Sequence, residues 1–153
     1  MRTKTLAIAV VGMVGLVAAA SVAVQGRQRP LPQFGNRASP HEAVDATIDG
    51  AELTITYGRP YMRGRTVMGG LVPYGRWWCP GADECTELTT SKPLRIADLM
   101  VPAGTYTLYM MPTAQDWTLM INKRTGVFHT RYFPEDDLGH VMLRKRQLDS
   151  PVE

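Results

Sequence analysis

The chain has 153 residues, 14 glycines, 11 prolines, two cysteines and a formal net charge of +3. That length fits one domain, not two, once a targeting segment is set aside. The charge is too small to mark a dedicated nucleic-acid binder.

The first segment reads "MRTKTLAIAVVGMVGLVAAASVAVQGRQRP". Arg2 and Lys4 form a basic start, and Thr5 to Val24 is uncharged and mostly apolar. Ser21 to Ala23 supplies the small residues that a signal peptidase reads, which predicts cleavage after Ala23. The alternative is an uncleaved anchor over residues 5–24, because a helix of about 20 apolar residues spans a bilayer. Either way the remainder is exported, to the periplasm or the extracellular space. The membrane is a partner only if the segment stays attached. Removing residues 1–23 takes away two basic residues and no acid, so the charge falls from +3 to +1.

Residues 24–38 mix Pro, Gly, Gln and Arg without periodicity and read as a flexible linker. The domain is expected over residues 39–153. In "AVDATIDGAELTITY", Val44, Ala46 and Ile48 alternate with polar residues, and so do Leu53, Ile55 and Tyr57. Asp49-Gly50 between them suits a two-residue hairpin turn. A second hairpin is expected in "LRIADLMV", turning at Ala97-Asp98. Pro102 to Gly104 then leads into "TYTLYMM", which Pro112 ends, and "WTLMIN" follows. A turn over residues 123–126 precedes a further strand signal in "VFHTRYF", and only residues 135–148 suggest a short helix. Turn signals every 8–12 residues predict an all-β domain, a compact antiparallel β-sandwich, jelly-roll-like or barrel-like, behind an apolar export helix. Trp77, Trp78 and Trp117 are expected to seal its core.

The stretches "SPHEAVDATIDGAELTITYGRPYMRGR", "GGLVPYGRWWCPGADE", "VPAGTYTLYMMP" and "WTLMINKRTG" resemble, in that order, the bacterial family called domain of unknown function 2911. The resemblance runs from Ser39 to Glu153. It implies a small exported all-β protein and carries no activity with it. Where that family usually has an arginine and an alanine, this chain has Cys79 and Cys85. Similar members continue past "LDSPVE" with further β segments, so the resemblance implies either a truncated chain or one that lacks one or two closing strands.

The two cysteines are separated by five residues, with no second pair. Zinc sites and thioredoxin-like redox pairs want closer spacing. In an oxidising compartment a disulfide is the simplest expectation, with free thiols as the alternative. A seven-residue loop would gain about 2.4 kcal/mol from closure.

"YGRPYMRGR" puts Arg59, Arg63 and Arg65 in one Gly/Pro-rich loop. Guanidinium forks bind carboxylates, phosphates or sugar hydroxyls. The three arginines and Tyr74 are therefore candidate ligand-binding residues. Their competing role is structural, pairing with Asp83 or Glu84 to hold an irregular loop. His41, in the family-like "SPH", is a candidate base or ligand, and Glu84 a candidate acid. His129 and His140 show no informative spacing, and Glu135 to Asp137 lacks a calcium-loop pattern. No metal or cofactor is expected. Two functions follow: a module that binds a polar small molecule, a glycan or a protein, or a hydrolase-like or metal-dependent enzyme using His41, Glu84 and the arginines.

Overall fold

The computed structural model describes residues 26–33, 35–144 and 149. The expected export segment over residues 1–23 lies outside the described residues, as do Lys145 and Arg146. The described chain is all-β. Its strands are β1 (Arg27–Pro30), β2 (His41–Ile48), β3 (Ala51–Gly58), β4 (Glu87–Thr90), β5 (Leu94–Ile96), β6 (Leu99–Val101), β7 (Gly104–Pro112), β8 (Trp117–Asn122) and β9 (Asp137–Leu143). A seven-stranded antiparallel sheet runs β1-β2-β3-β4-β7-β8-β9, and β5-β6 forms a separate two-stranded sheet.

Both expected hairpins form. Asp49 and Gly50 have φ of 48° and 72°, the doubly positive turn that matches strand twist. Ala97 turns β5 into β6 at φ 52°. The alternation in the sequence decides what each sheet face buries. On one face Leu88, Tyr106, Leu108, Leu119, Ile121 and Val141 form the main core with Val101. A fully buried leucine or isoleucine there contributes roughly 1.5–3 kcal/mol. The β5-β6 hairpin covers this face with Leu94, Ile96 and Leu99. Gly139 in β9 makes room for it: a Cβ there would lie 2.6 Å from Leu99 Cδ1.

The opposite face is buried by loops. Tyr109 and Met120 pack with Cys79, Cys85 and Val127. Trp78 pairs with Met110 alongside β7, and Leu108 N–H donates to Thr86 O at 2.9 Å. Residues 79–85 are therefore an excursion that leaves the β7 edge and returns to it. Residues 127–129 zip to that excursion. Cys85 N–H donates to Val127 O at 2.9 Å, and His129 N–H to Asp83 O at 3.0 Å. Asn122, fully buried, fixes the base of this second loop: its amide donates to Phe133 O and Asp137 Oδ1, both at 2.8 Å.

Four expectations change. Residues 27–30 of the expected linker form β1, which pairs along β2, and Arg29 anchors it on Asp45 at 2.6 Å. The expected helix over 135–148 is instead a 3-10 turn, Pro134–Asp136, followed by β9. Gly139 faces the main core in β9, which a strand permits and a helix would not place there. "VFHTRYF" is loop, with one bridge from Phe128 to Glu84. Trp77 does not seal the core; it is 41% exposed.

Candidate functional site

His41 opens β2, opposite Gly58 at the end of β3. The 79–85 excursion lies directly over this point, because Gly58 has no side chain. A Cβ on Gly58 would overlap the Ala82 carbonyl. Asp83 turns the loop at φ 67°, an uncommon conformation for a residue with a side chain. Backbone strain of this kind clusters where a loop must aim its side chains. Here it brings Asp83 and Glu84 onto His41. His41 Nε2 lies 3.3 Å from Glu84 Oε2 and 3.7 Å from Asp83 Oδ2.

The fourth member is Arg37. Its guanidinium donates to both carboxylate oxygens of Glu84, one of them at 2.6 Å, and its Nη1 stands 3.5 Å from His41 Nε2. The His41 side chain is 10% exposed, and its Nδ1 is buried without a partner among the described residues. The tautomer carrying its proton on Nε2 can donate it to Glu84, and an imidazolium there would meet two carboxylates. Burial pushes the Glu84 carboxyl up, but its own backbone N–H and the Arg37 guanidinium outweigh that and hold it below the usual carboxylate range.

Arg37, His41 and Glu84 line a cavity of about 420 Å³. Leu31 and Pro32 give it apolar walls, and Glu87 and Gly126 close one side, with Gly126 N–H donating to Glu87 Oε1 at 2.7 Å. A mostly apolar cavity with a few convergent polar groups is the usual form of a small-molecule site.

The family model for the protein of unknown function DUF2911 matches residues 39–153. The chain belongs to that family. No curated protein and no solved structure matches it.

The structure brings together the two candidate catalytic residues, His41 and Glu84, and separates them from the candidate ligand-binding loop. Arg59 is not on Glu84; it pairs with Glu42 at 3.2 Å on the other side of the sheet, where Tyr57 OH and Gln28 also donate to that carboxylate. Arg65 holds its own loop, donating to Met62 O and Tyr61 O at 3.0 and 2.8 Å. Arg63 sits at the turn with φ 50°. Tyr74 is 45% exposed and lies over Gly69, where a Cβ would come within 2.9 Å of its ring. None of these four lines the His41 cavity.

Arg37, the residue that completes the site, belongs to a stretch with no periodicity. Its only signal in the sequence is a basic side chain four residues before His41.

The disulfide expected between Cys79 and Cys85 is not formed: both are free and buried. The two thiols contact each other, and each has a further partner. Cys79 Sγ points to Leu108 O at 3.8 Å, and Cys85 Sγ to the Tyr109 hydroxyl at 3.7 Å. The excursion is instead held by backbone pairing to residues 127–129 and by Thr86 Oγ1, which donates to Pro80 O at 2.6 Å.

Proposed function

We propose that this protein is an exported, sandwich-like β module that binds a polar small molecule in the His41 cavity. The observation that carries this reading is the buried His41 ring, flanked by Glu84, Asp83 and Arg37 at the wall of a 420 Å³ space. Arg37 and Glu84 offer donors and acceptors side by side, which suits a ligand bearing both. Leu31 and Pro32 give its apolar part a wall. Export is supported by the sequence of residues 1–23.

Ligand binding raises thermal stability by mass action, by about 2.7 kcal/mol at 100 times Kd. A thermal-shift screen of sugars, amino acids, nucleotides and small carboxylic acids is expected to yield a stabilising compound, with the shift abolished in His41→Ala and Glu84→Gln. A hit whose shift survives both substitutions would place the ligand elsewhere and overturn the proposal.

The 3.3 Å contact between His41 and Glu84 also favours a second reading, a hydrolase-like enzyme with His41 as general base. Hydrolysis of chromogenic esters, phosphates or glycosides that disappears in His41→Ala would establish it. A metal-dependent version has no donor set behind it: among the described residues no group of three or more His, Cys, Asp or Glu is placed to hold a metal.

A further inference from the structure

A second concave surface lies on the same sheet face, beyond the 79–85 excursion and away from His41. It is a groove of about 710 Å³. Its floor is Met111 and Met120, and Trp77 and Tyr132 rise from it. Trp77 is held in place by other rings, with centroids 5.4 Å from Tyr132 and 6.1 Å from Tyr109. Even so it leaves 41% of its surface exposed. An ordered, half-exposed indole leaves apolar surface in water in the free protein and offers a rigid apolar face at low entropic cost.

The rim is polar. Arg76 precedes Trp77 and makes no hydrogen bond or ion pair among the described residues, whereas Arg29, Arg37, Arg59 and Arg124 each hold a carboxylate. No acidic residue lines the groove. His140 stands across from it, its Nε2 bound to Asp137 Oδ2 at 2.8 Å, which leaves Nδ1 for a ligand. Thr118 contributes a hydroxyl that spends its proton on Met142 Sδ and keeps its oxygen as an acceptor.

An apolar ring face beside an uncommitted guanidinium, with polar side chains of His140 and Thr118 opposite, matches a pyranose that carries a carboxylate. The C–H face of the sugar packs on the indole, the carboxylate takes the two-pronged Arg76 fork, and the hydroxyls meet His140 and Thr118. We propose that the Trp77–Arg76 groove is a binding site for acidic saccharides of the uronate class. The volume accommodates more than one sugar ring, since pockets of about 300–1,000 Å³ hold ligands of drug size. This site shares no lining residue with the His41 cavity and does not depend on it.

The test is calorimetric titration of the purified protein with α-1,4-linked trigalacturonate and with neutral α-1,4-linked galactotriose. The uronate is expected to bind about tenfold or more tightly than the neutral sugar, since a charge-assisted pair is roughly twice as strong as a neutral one. Arg76→Gln should erase that preference and leave neutral binding unchanged. Trp77→Ala should weaken both sugars, and Trp77→Phe should recover part of the loss if the alanine variant is unstable. His41→Ala should change neither. The proposal is overturned by no binding of the uronate at millimolar concentration, by an undiminished preference in Arg76→Gln, or by loss of uronate binding in His41→Ala.

Discussion

Arg37 and Glu84, 47 residues apart in the chain, meet in a two-armed ion pair beside the His41 ring. Arg37 comes from the segment joining β1 to β2, and Glu84 from the excursion alongside β7. The pair therefore joins two independent loops across the cavity. Its side chains are 27% and 49% exposed, so solvent screens much of the attraction.

Arg37→Ala and Glu84→Gln are each expected to cost no more than about 1 kcal/mol in chemical denaturation, the scale of half-exposed ion pairs. A double-mutant cycle should give a coupling of the same small size. Ligand-induced stabilisation should nevertheless disappear in both variants. Large destabilisation by either change would mean that the pair serves the fold rather than the site.

Acid should weaken the protein in a defined window. Burial pushes the Glu42 carboxyl up, but bonds from Gln28, Tyr57 and Arg59 outweigh it and hold it low. Glu84 is also low, and the Arg29 guanidinium together with the Thr54 hydroxyl holds Asp45 low. A carboxyl whose pKa is depressed on folding contributes stability above its unfolded pKa and loses it as pH falls through the folded value. The contribution of these carboxylates is therefore expected to be fully present above about pH 5 and to be lost below about pH 4, near the unfolded carboxylate values. Urea midpoints across that range measure it. Glu42→Gln should reduce the slope; a slope unchanged in that variant would count against this assignment.

Two glycines separate backbone crowding from side-chain crowding. A Cβ on Gly58 meets the Ala82 carbonyl, part of a chain already fixed by pairing with residues 127–129. A Cβ on Gly139 meets the end of the Leu99 side chain, which can change rotamer. Gly58→Ala is expected to cost about 2–3 kcal/mol or more, and Gly139→Ala about 1 kcal/mol. Only the first should also abolish ligand binding, because it displaces Asp83 and Glu84 from His41.

The hairpins were legible in the sequence because each is decided locally. Asp49-Gly50 accepts positive φ, and the alternation of Val44, Ala46, Leu53 and Ile55 admits one register. His41 and Glu84 were identifiable as chemical types, and the structure places them 3.3 Å apart. Arg37 was not legible. Its position depends on β1 pairing with β2, and β1 is four exposed residues with no periodicity of its own. The arginine loop was legible only as a group of residue types, not as an arrangement. Three guanidinium groups close in sequence suggest one anion site, but Arg59 faces Glu42 across the sheet and Arg65 closes on its own backbone. β9 was obscured by Gly139, whose role is to admit Leu99 from a hairpin about 40 residues earlier.

Tyr109 links the buried loops to the sheet and sets an alkaline limit. Its ring is fully buried, its hydroxyl donates to Arg131 O at 2.8 Å, and Cys85 Sγ lies 3.7 Å from it. Burial pushes its phenol up, with the Cys85 contact adding to the effect, and burial with the Asp137 bond does the same for Tyr132. A raised folded pKa contributes stability that is present below the unfolded value and is lost as pH rises towards the folded one. Stability should therefore decline above about pH 10, the unfolded tyrosine value. Phenolate absorbance of the two most strongly shifted tyrosines, Tyr109 and Tyr132, should then emerge together with unfolding rather than before it. Tyr109→Phe leaves the Arg131 carbonyl and the Cys85 thiol without this partner, and is expected to cost about 1–3 kcal/mol at neutral pH. Because the variant lacks the group that titrates, its stability should also fall less steeply in alkali than that of the parent. Equal slopes would take Tyr109 out of the alkaline limit and leave it to the other groups whose pKa is raised, Tyr132, Tyr57 and Cys79.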